Sequence, residues 1–284
     1  MHYESMTVRP IAGTLGAEIQ GANLRERDDS PLWMELRRAF LDYHVIAIRR
    51  QDLSLEDLMR VGRKFGEPCH YPFAKGIEGY PYITAVVKEP HDGHVFGEGW
   101  HTDTMYLNRP PRATLLYALE TPASGGDTLY VNTAAAYDAL SGGMKKMLEG
   151  VIGVCSGAMK TRHAGGRAAR FSDLSVASQN VENADSYEAK HPVVRTHPET
   201  GRKSLYVSTL HTIRFDGFTE EESKPLIDWL ANHCTRPEFS CRVRWEPGQL
   251  TIWDNRTTLH SAVNDYPGLR REMRRLTVGA EVPV

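Results

Sequence analysis

Cysteine is scarce in this sequence: four in 284 residues, Cys69, Cys155, Cys234 and Cys241, with no Cys-x-x-Cys pair. That spacing excludes a disulfide framework and a thiolate metal centre, and reduced structural thiols are expected. An excess of one charge is missing too. Lysine and arginine number 34 against 36 acidic residues, a formal net charge of −2, so no global field steers the chain onto nucleic acid or anionic membrane. Any anion must be recognised locally. No apolar run is long enough to span a bilayer, and Met1 to Pro10 lacks the basic and apolar stretches of a secretory signal. A cytoplasmic protein with no membrane partner is therefore expected. There is no internal repeat and no Pro/Ser linker. One domain over residues 1–284 follows, since barrels and sandwiches of this length often form a single unit.

What the chain does have is 40% hydrophobic and 25% charged residues, enough for a full core. Short apolar stretches punctuated by glycine and proline predict strands at Val45 to Ile48, Ile83 to Val87, Thr114 to Leu119, Thr128 to Val131, Val193 to Thr196, Ser204 to Val207, Cys241 to Trp245 and Leu250 to Trp253. Helices are fewer. Leu32, Leu36 and Phe40 recur at i+4, Ser54 caps a helix with Leu55, Leu58 and Met59 inward, and Thr219 with Glu222 forms a capping box before Leu226, Ile227 and Leu230. The pattern is mainly β with peripheral helices, an antiparallel core closed as a barrel or double sheet. Between Cys155 and His191 lies a segment rich in Gly, Ala, Ser and charge, too long for an ordinary connection. A mobile lid or insert with a short helix is expected around 156–190.

The chemistry concentrates in His101-Thr102-Asp103 and in Trp253-Asp254-Asn255-Arg256-Thr257-Thr258-Leu259-His260, whose histidine lies 157 positions beyond Asp103. On a strand, residues two apart face one side, so His101 and Asp103 can share an ion, with His260 supplied by a later strand. Two imidazoles and one carboxylate leave three coordination positions open, as Fe(II) needs to take a bidentate co-substrate and O₂ together. A hydrogen-bonded pair and a core histidine would give the same residues, so the partners matter. Arg271 and Arg275 follow His260 by eleven and fifteen positions. If the segment bends or bulges, their forks converge, one on a co-substrate carboxylate and one on a substrate anion; Arg270 and Arg274 read as a solvated edge. Gly125-Gly126-Asp127-Thr128 is a turn that could bring a hydroxyl to the same carboxylate.

Together, WHTD, GGDT, WDNRTTLH and the two spaced arginines resemble the taurine dioxygenase and phenoxyacetate-herbicide dioxygenase (TauD/TfdA) family. The likeness runs from Gly13-Thr14-Leu15-Gly16-Ala17-Glu18-Ile19 through His191-Pro192-Val193-Val194-Arg195-Thr196-His197-Pro198 and Ser204-Leu205-Tyr206-Val207 to Arg275. The resemblance implies a jelly-roll, cupin-like double-stranded β-helix with Fe(II) on His101, Asp103 and His260. It implies Thr128 and Arg271 on the distal carboxylate of 2-oxoglutarate, Arg275 on the anionic end of the substrate, and a homodimer or homotetramer. The implied reaction consumes O₂, converts 2-oxoglutarate to succinate and CO₂, and hydroxylates a small anionic organic substrate.

Taurine enzymes carry asparagine four residues before the first ligand histidine. Here Gly97 stands there, which argues against taurine itself and leaves an anionic substrate with a larger apolar body open. Candidate substrate residues are His70 and Tyr106, with Tyr71, Phe73 and the loop near Met159 as further walls. Desaturation or ring closure with the same cofactors, and a metal-binding barrel without turnover, stay open at this level. Halogenation is disfavoured because Asp103 fills the position of a halide, and a zinc hydrolase because no general base is evident beside the metal.

Overall fold

The computed structural model describes residues 3–159 and 165–284. Among them, nine strands form a large sheet. Its path runs Thr7–Pro10, Ala17–Gln20, Val45–Ile48, Leu250–Asp254, Pro111–Glu120, Arg271–Ala280, Tyr80–Lys88 and Gly76–Ile77, with Pro68–Cys69 also paired to Arg271–Ala280. A smaller sheet orders Ser240–Val243, Thr128–Asn132 and Thr258–Ala262. Pairing is antiparallel apart from Ala17–Gln20 on Val45–Ile48.

Alternation explains why Val45–Ile48 reads as an unbroken apolar run. Ile46 and Ile48 face outward with Leu115, Ile252 and Leu276 onto Leu36, Phe40 and Leu58 of the helices. Val45 and Ala47 face inward with Leu116, Trp253 and Met273 onto Tyr130, Cys241 and Val243 of the smaller sheet. Both faces are covered, so both are apolar. The helices Leu32–Tyr43 and Leu55–Phe65 supply the outer layer, and the second starts at a capping box between Ser54 and Asp57. Thr219 and Glu222 cap Glu220–Cys234 in the same way.

The expected double-sheet core with peripheral helices is what the chain forms, and all eight sequence strands fall on observed ones. Strands not expected include Ala17–Gln20, Ile152–Ser156, Glu188–Pro192, Thr212–Phe215 and Arg271–Ala280, while Thr258–Ala262 is the later strand expected to carry His260, here given its bounds. Arg271–Ala280 carries arginine and threonine at inward positions, which hides its apolar alternation. Of the expected insert at 156–190, residues 160–164 lie outside the described residues. The rest holds a helix, Gly166–Ser172, and a 3-10 turn, Val181–Ser186, ahead of the strand Glu188–Pro192. No described helix is long and apolar enough to cross a membrane.

Candidate active site

His260 stands on the strand Thr258–Ala262, and His101 reaches it through a two-way backbone bridge: His101 N donates to His260 O at 3.0 Å, and His260 N to His101 O at 2.7 Å. One ligand-capable atom from each of His101, Asp103 and His260 lies within 4.8 Å of the others, and all three side chains are buried. The route differs from the expected His-x-Asp strand. Asp103 sits in a turn with Thr104 at φ 49°, not on a strand, and it is this turn that brings the carboxylate round to the imidazoles.

The tryptophan-to-histidine motif fixes both halves of the triad. Thr114 Oγ1 donates to Asp103 Oδ2 at 2.5 Å, and Asn255 Nδ2 in turn donates to Thr114 Oγ1 at 2.9 Å. Thr102 Oγ1 donates to the Asn255 carbonyl at 2.8 Å. Behind them Arg256 forks onto both oxygens of Asp254 at 2.8 and 2.7 Å, and His197 Nε2 meets Asp254 Oδ2 at 3.0 Å. Such a bidentate, fully buried pair sets geometry more than stability.

Protonation suits a metal. Burial lowers the His101 imidazole below its ordinary value against the pull of Asp103, and burial with the neighbouring His101 lowers His260 to about 3. His101 Nδ1 donates to the Gly99 carbonyl at 2.7 Å, leaving Nε2 its lone pair. Burial pushes the Asp103 carboxyl up, but Arg275 and the two imidazoles outweigh it and hold it well below the usual carboxylate range. Two neutral imidazoles and one carboxylate form the donor set of an open Fe(II) site.

Two chambers meet at this cluster. The inner one is walled by Val86, Leu116, Thr128, Trp253, Arg271 and Arg275. Arg271 and Arg275 both point inward from the strand Arg271–Ala280, which bulges against Pro111–Glu120 between Glu272 and Met273. Arg270 and Arg274 point outward and pair with Glu89, Glu120 and Glu272. Arg271 is buried beside the Trp245 ring, 5.4 Å from its centroid, and its Nε and Nη2 have no partner among the described residues. Burial accordingly pulls its pKa down. Thr128 is buried as the acceptor of Trp245 Nε1 at 2.9 Å. The turn before it is pinned where Gly126 N donates to Asp265 Oδ1 at 2.7 Å; a Cβ on Gly125 would strike that carboxylate at 2.7 Å. Buried guanidinium donors without a protein partner fit a carboxylate, and so fit 2-oxoglutarate.

The outer chamber is walled by Tyr71, Phe96, Tyr106, Met159, Phe171 and His211, together with Arg167 and Arg170. Tyr106 is where the sequence reading put it. His70 is not: it is exposed, its ring lies against Tyr82 at 4.2 Å, and it lines neither chamber. The neighbouring Tyr71 takes the inward place, because successive side chains of an extended segment face opposite ways. Arg275, expected on the substrate, lines the inner chamber, with Nη2 2.8 Å from Asp103 Oδ1. That is a charge contact without hydrogen-bond alignment, so Nη2 keeps its donor.

The model of the taurine catabolism dioxygenase TauD, TfdA family matches residues 7–277. The chain belongs to the TauD/TfdA family. An α-ketoglutarate-dependent sulfate ester dioxygenase from Pseudomonas putida is 34% identical, over 100% of this chain and 92% of that protein. An alkylsulfatase from Acinetobacter baylyi is 32% identical, over 98% and 86%. Among solved structures, a taurine dioxygenase from Burkholderia xenovorans aligns at a TM-score of 0.82 and 32% identity, over 99% and 91% of the two chains. This TauD/TfdA protein is thus an Fe(II)- and 2-oxoglutarate-dependent dioxygenase on a double-stranded β-helix.

Sequence reasoning missed Arg167, Arg170 and Phe171. They share one face of Gly166–Ser172 at i, i+3 and i+4, a helical spacing visible in the sequence but set in a segment read only as a lid or insert with a short helix, whose side chains went unassigned. His211 was missed as well, since nothing around it marks it as facing a ligand.

Proposed function

We propose that His101, Asp103 and His260 hold the iron, that Arg271 and Thr128 anchor the distal carboxylate of 2-oxoglutarate, and that the substrate is a small organic monoanion with an apolar body, a sulfate ester or sulfonate foremost. The observation carrying this reading is the pair of chambers sharing the His101–Asp103 edge, one with orphaned arginine donors and one with aromatic walls. The relatives named for sulfate esters and alkyl sulfates support the anion class. Bound Fe(II) with 2-oxoglutarate supplies the means of activating O₂, yielding succinate and CO₂ as the second oxygen atom enters a substrate C–H bond.

The protein's own residues orient and exclude. Arg271 and Thr128 fix one end of 2-oxoglutarate, so its keto acid end faces the triad, and Arg275 offsets carboxylate charge there. Tyr71, Tyr106, Phe96 and Phe171 keep water off the metal edge and hold the substrate's reactive carbon against it. Hydroxylation of a carbon bearing a sulfate-ester oxygen would leave a product that collapses to an aldehyde and sulfate. Gly97, at φ 83°, borders both chambers, and a Cβ there would lie 3.7 Å from the His101 ring. Its lack of a side chain leaves room for a wider apolar body. The test is succinate release across alkyl sulfates, alkanesulfonates and aryloxyalkanoates. Release triggered by the first two classes is expected; release by none of the three would overturn the substrate class.

A further inference from the structure

Two neutral polar residues line the outer chamber without a part in the metal, the co-substrate or the substrate's charge: Thr104 and His211. Each is 4% exposed. Thr104 is a β-branched residue in the left-handed region, at φ 49°, a conformation such side chains rarely adopt. Its carbonyl accepts from Leu107 N at 2.9 Å, closing the turn that follows Asp103. Strain of this kind persists only where the surroundings hold it. Thr104 Oγ1 is buried and has no hydrogen-bond partner among the described residues.

His211 is held at two points by one residue. Its carbonyl accepts from Ser156 N at 2.8 Å, and its Nδ1 donates to the Ser156 carbonyl at 3.2 Å. The Tyr106 ring stands edge-on against it, with centroids 5.0 Å apart. With Nδ1 donating, Nε2 is the ring's acceptor. An imidazole is mostly uncharged at neutral pH, and burial favours that form further.

A wall meant only for apolar matter would be better served by valine at 104 and phenylalanine at 211, because a buried polar atom costs free energy until it is paired. Both residues stand at the metal edge. Thr104 follows Asp103 directly, and the His211 ring lies edge-on to that of His101 with centroids 6.1 Å apart. A donor and an acceptor at that edge match a group that both accepts and donates, and a hydroxyl is the smallest such group.

Resting on the dioxygenase reading above and narrowing its substrate class, we propose that the substrate carries a hydroxyl close to the carbon that is oxidised, donating to His211 Nε2 and accepting from Thr104 Oγ1. The charged head keeps the place that the resemblance gives it, at Arg275, and the rest of the body lies against Phe96 and Phe171. Thr104 and His211 are then specificity residues, because a site built to pair a hydroxyl disfavours the analogue that lacks it.

The test measures binding of hexyl sulfate and of 2-, 3- and 4-hydroxyhexyl sulfate by calorimetry to the anaerobic protein loaded with Fe(II) and 2-oxoglutarate. In the wild type one hydroxylated isomer should bind about 10-fold tighter than hexyl sulfate. That gain should fall to within about twofold in His211→Phe and to about threefold in Thr104→Val, which keeps the β-branched shape, while His211→Gln, which keeps an acceptor, should retain part of it. No gain for any isomer in the wild type, or a gain kept in full by His211→Phe or by Thr104→Val, would overturn the proposal. If His211→Phe fails to fold, His211→Leu decides by the same ratio. Should the wild type bind none of the sulfates, the anion class is at fault, and hexane-1,2-diol against hexan-1-ol puts the same ratio to His211. Loss of the visible Fe(II)/2-oxoglutarate band would instead overturn the metal and co-substrate roles, and the ratio measured without metal would still judge His211.

Discussion

The inner and outer chambers share Phe96, Gly97, His101 and Asp103, yet they are built from different material. The inner walls stand on paired strands, with Thr128 on one sheet and Arg271 and Arg275 on the other. The outer walls come from the segment around Tyr71, the turn at Tyr106 and the short helix Gly166–Ser172. Strand-borne groups are held by ladders of backbone hydrogen bonds, whereas loop-borne groups depend on a few side-chain contacts and tolerate change. A fixed co-substrate on the rigid side and a variable substrate on the adaptable side is the division that follows.

Breaking the shared edge should do most damage. His260→Gln removes a ligand outright, so iron affinity and substrate-triggered succinate release should fall by more than about 100-fold, beyond the 10- to 100-fold typical of losing a ligand's outer partner; metal titration and succinate assay check this. Arg271→Leu strikes the inner chamber alone. Its 2-oxoglutarate affinity should drop by about 30-fold or more, with hexyl sulfate affinity changed far less, and equal losses of both would erase the distinction between the chambers.

Gly97→Asn sharpens the comparison from the other side. Asparagine tolerates the left-handed backbone better than most residues, and its side chain would enter the space at the His101 ring. Turnover of hexyl sulfate relative to ethyl sulfate should fall by about 10-fold, measured as kcat/KM for each, while 2-oxoglutarate affinity holds.

The smallest effect at neutral pH comes from His44, whose Nδ1 meets Thr257 Oγ1 at 2.9 Å within the motif that presents His260. Burial lowers His44 to about 4 from an ordinary 6.5. Between those values the unfolded chain binds the proton and the folded chain does not, so stability is full above pH 6.5 and declines as pH falls towards 4. Denaturant unfolding of the metal-free protein should show this decline, and His44→Gln should flatten it by about 3 kcal/mol over that window.

Legibility in the sequence follows the same division. His101, Asp103, His260, Thr128 and Arg271 stand in runs whose spacing carried a reading of their chemistry; the structure brings ligand atoms of the first three within 4.8 Å of one another and lines the inner chamber with Thr128 and Arg271. The strand Arg271–Ala280 was invisible as a strand because its inward positions are arginines serving the chamber. Around the outer chamber the signal was partial: Tyr71, Tyr106 and the loop near Met159 were named and line it, whereas His70 was named and does not. His70 and Tyr71 are neighbours, and only the register of the chain decides which faces in. Arg167 meets Tyr71 and Phe73, both far from it in sequence, only once the helix is packed against them.

The most direct measurement is an anaerobic titration of the Fe(II)-loaded protein with 2-oxoglutarate, followed by the visible charge-transfer band. A saturable band in the wild type, absent in His260→Gln and displaced to about 30-fold higher concentration in Arg271→Leu, is the predicted result. No band in the wild type, or an unchanged titration in Arg271→Leu, would contradict the assignment of the inner chamber.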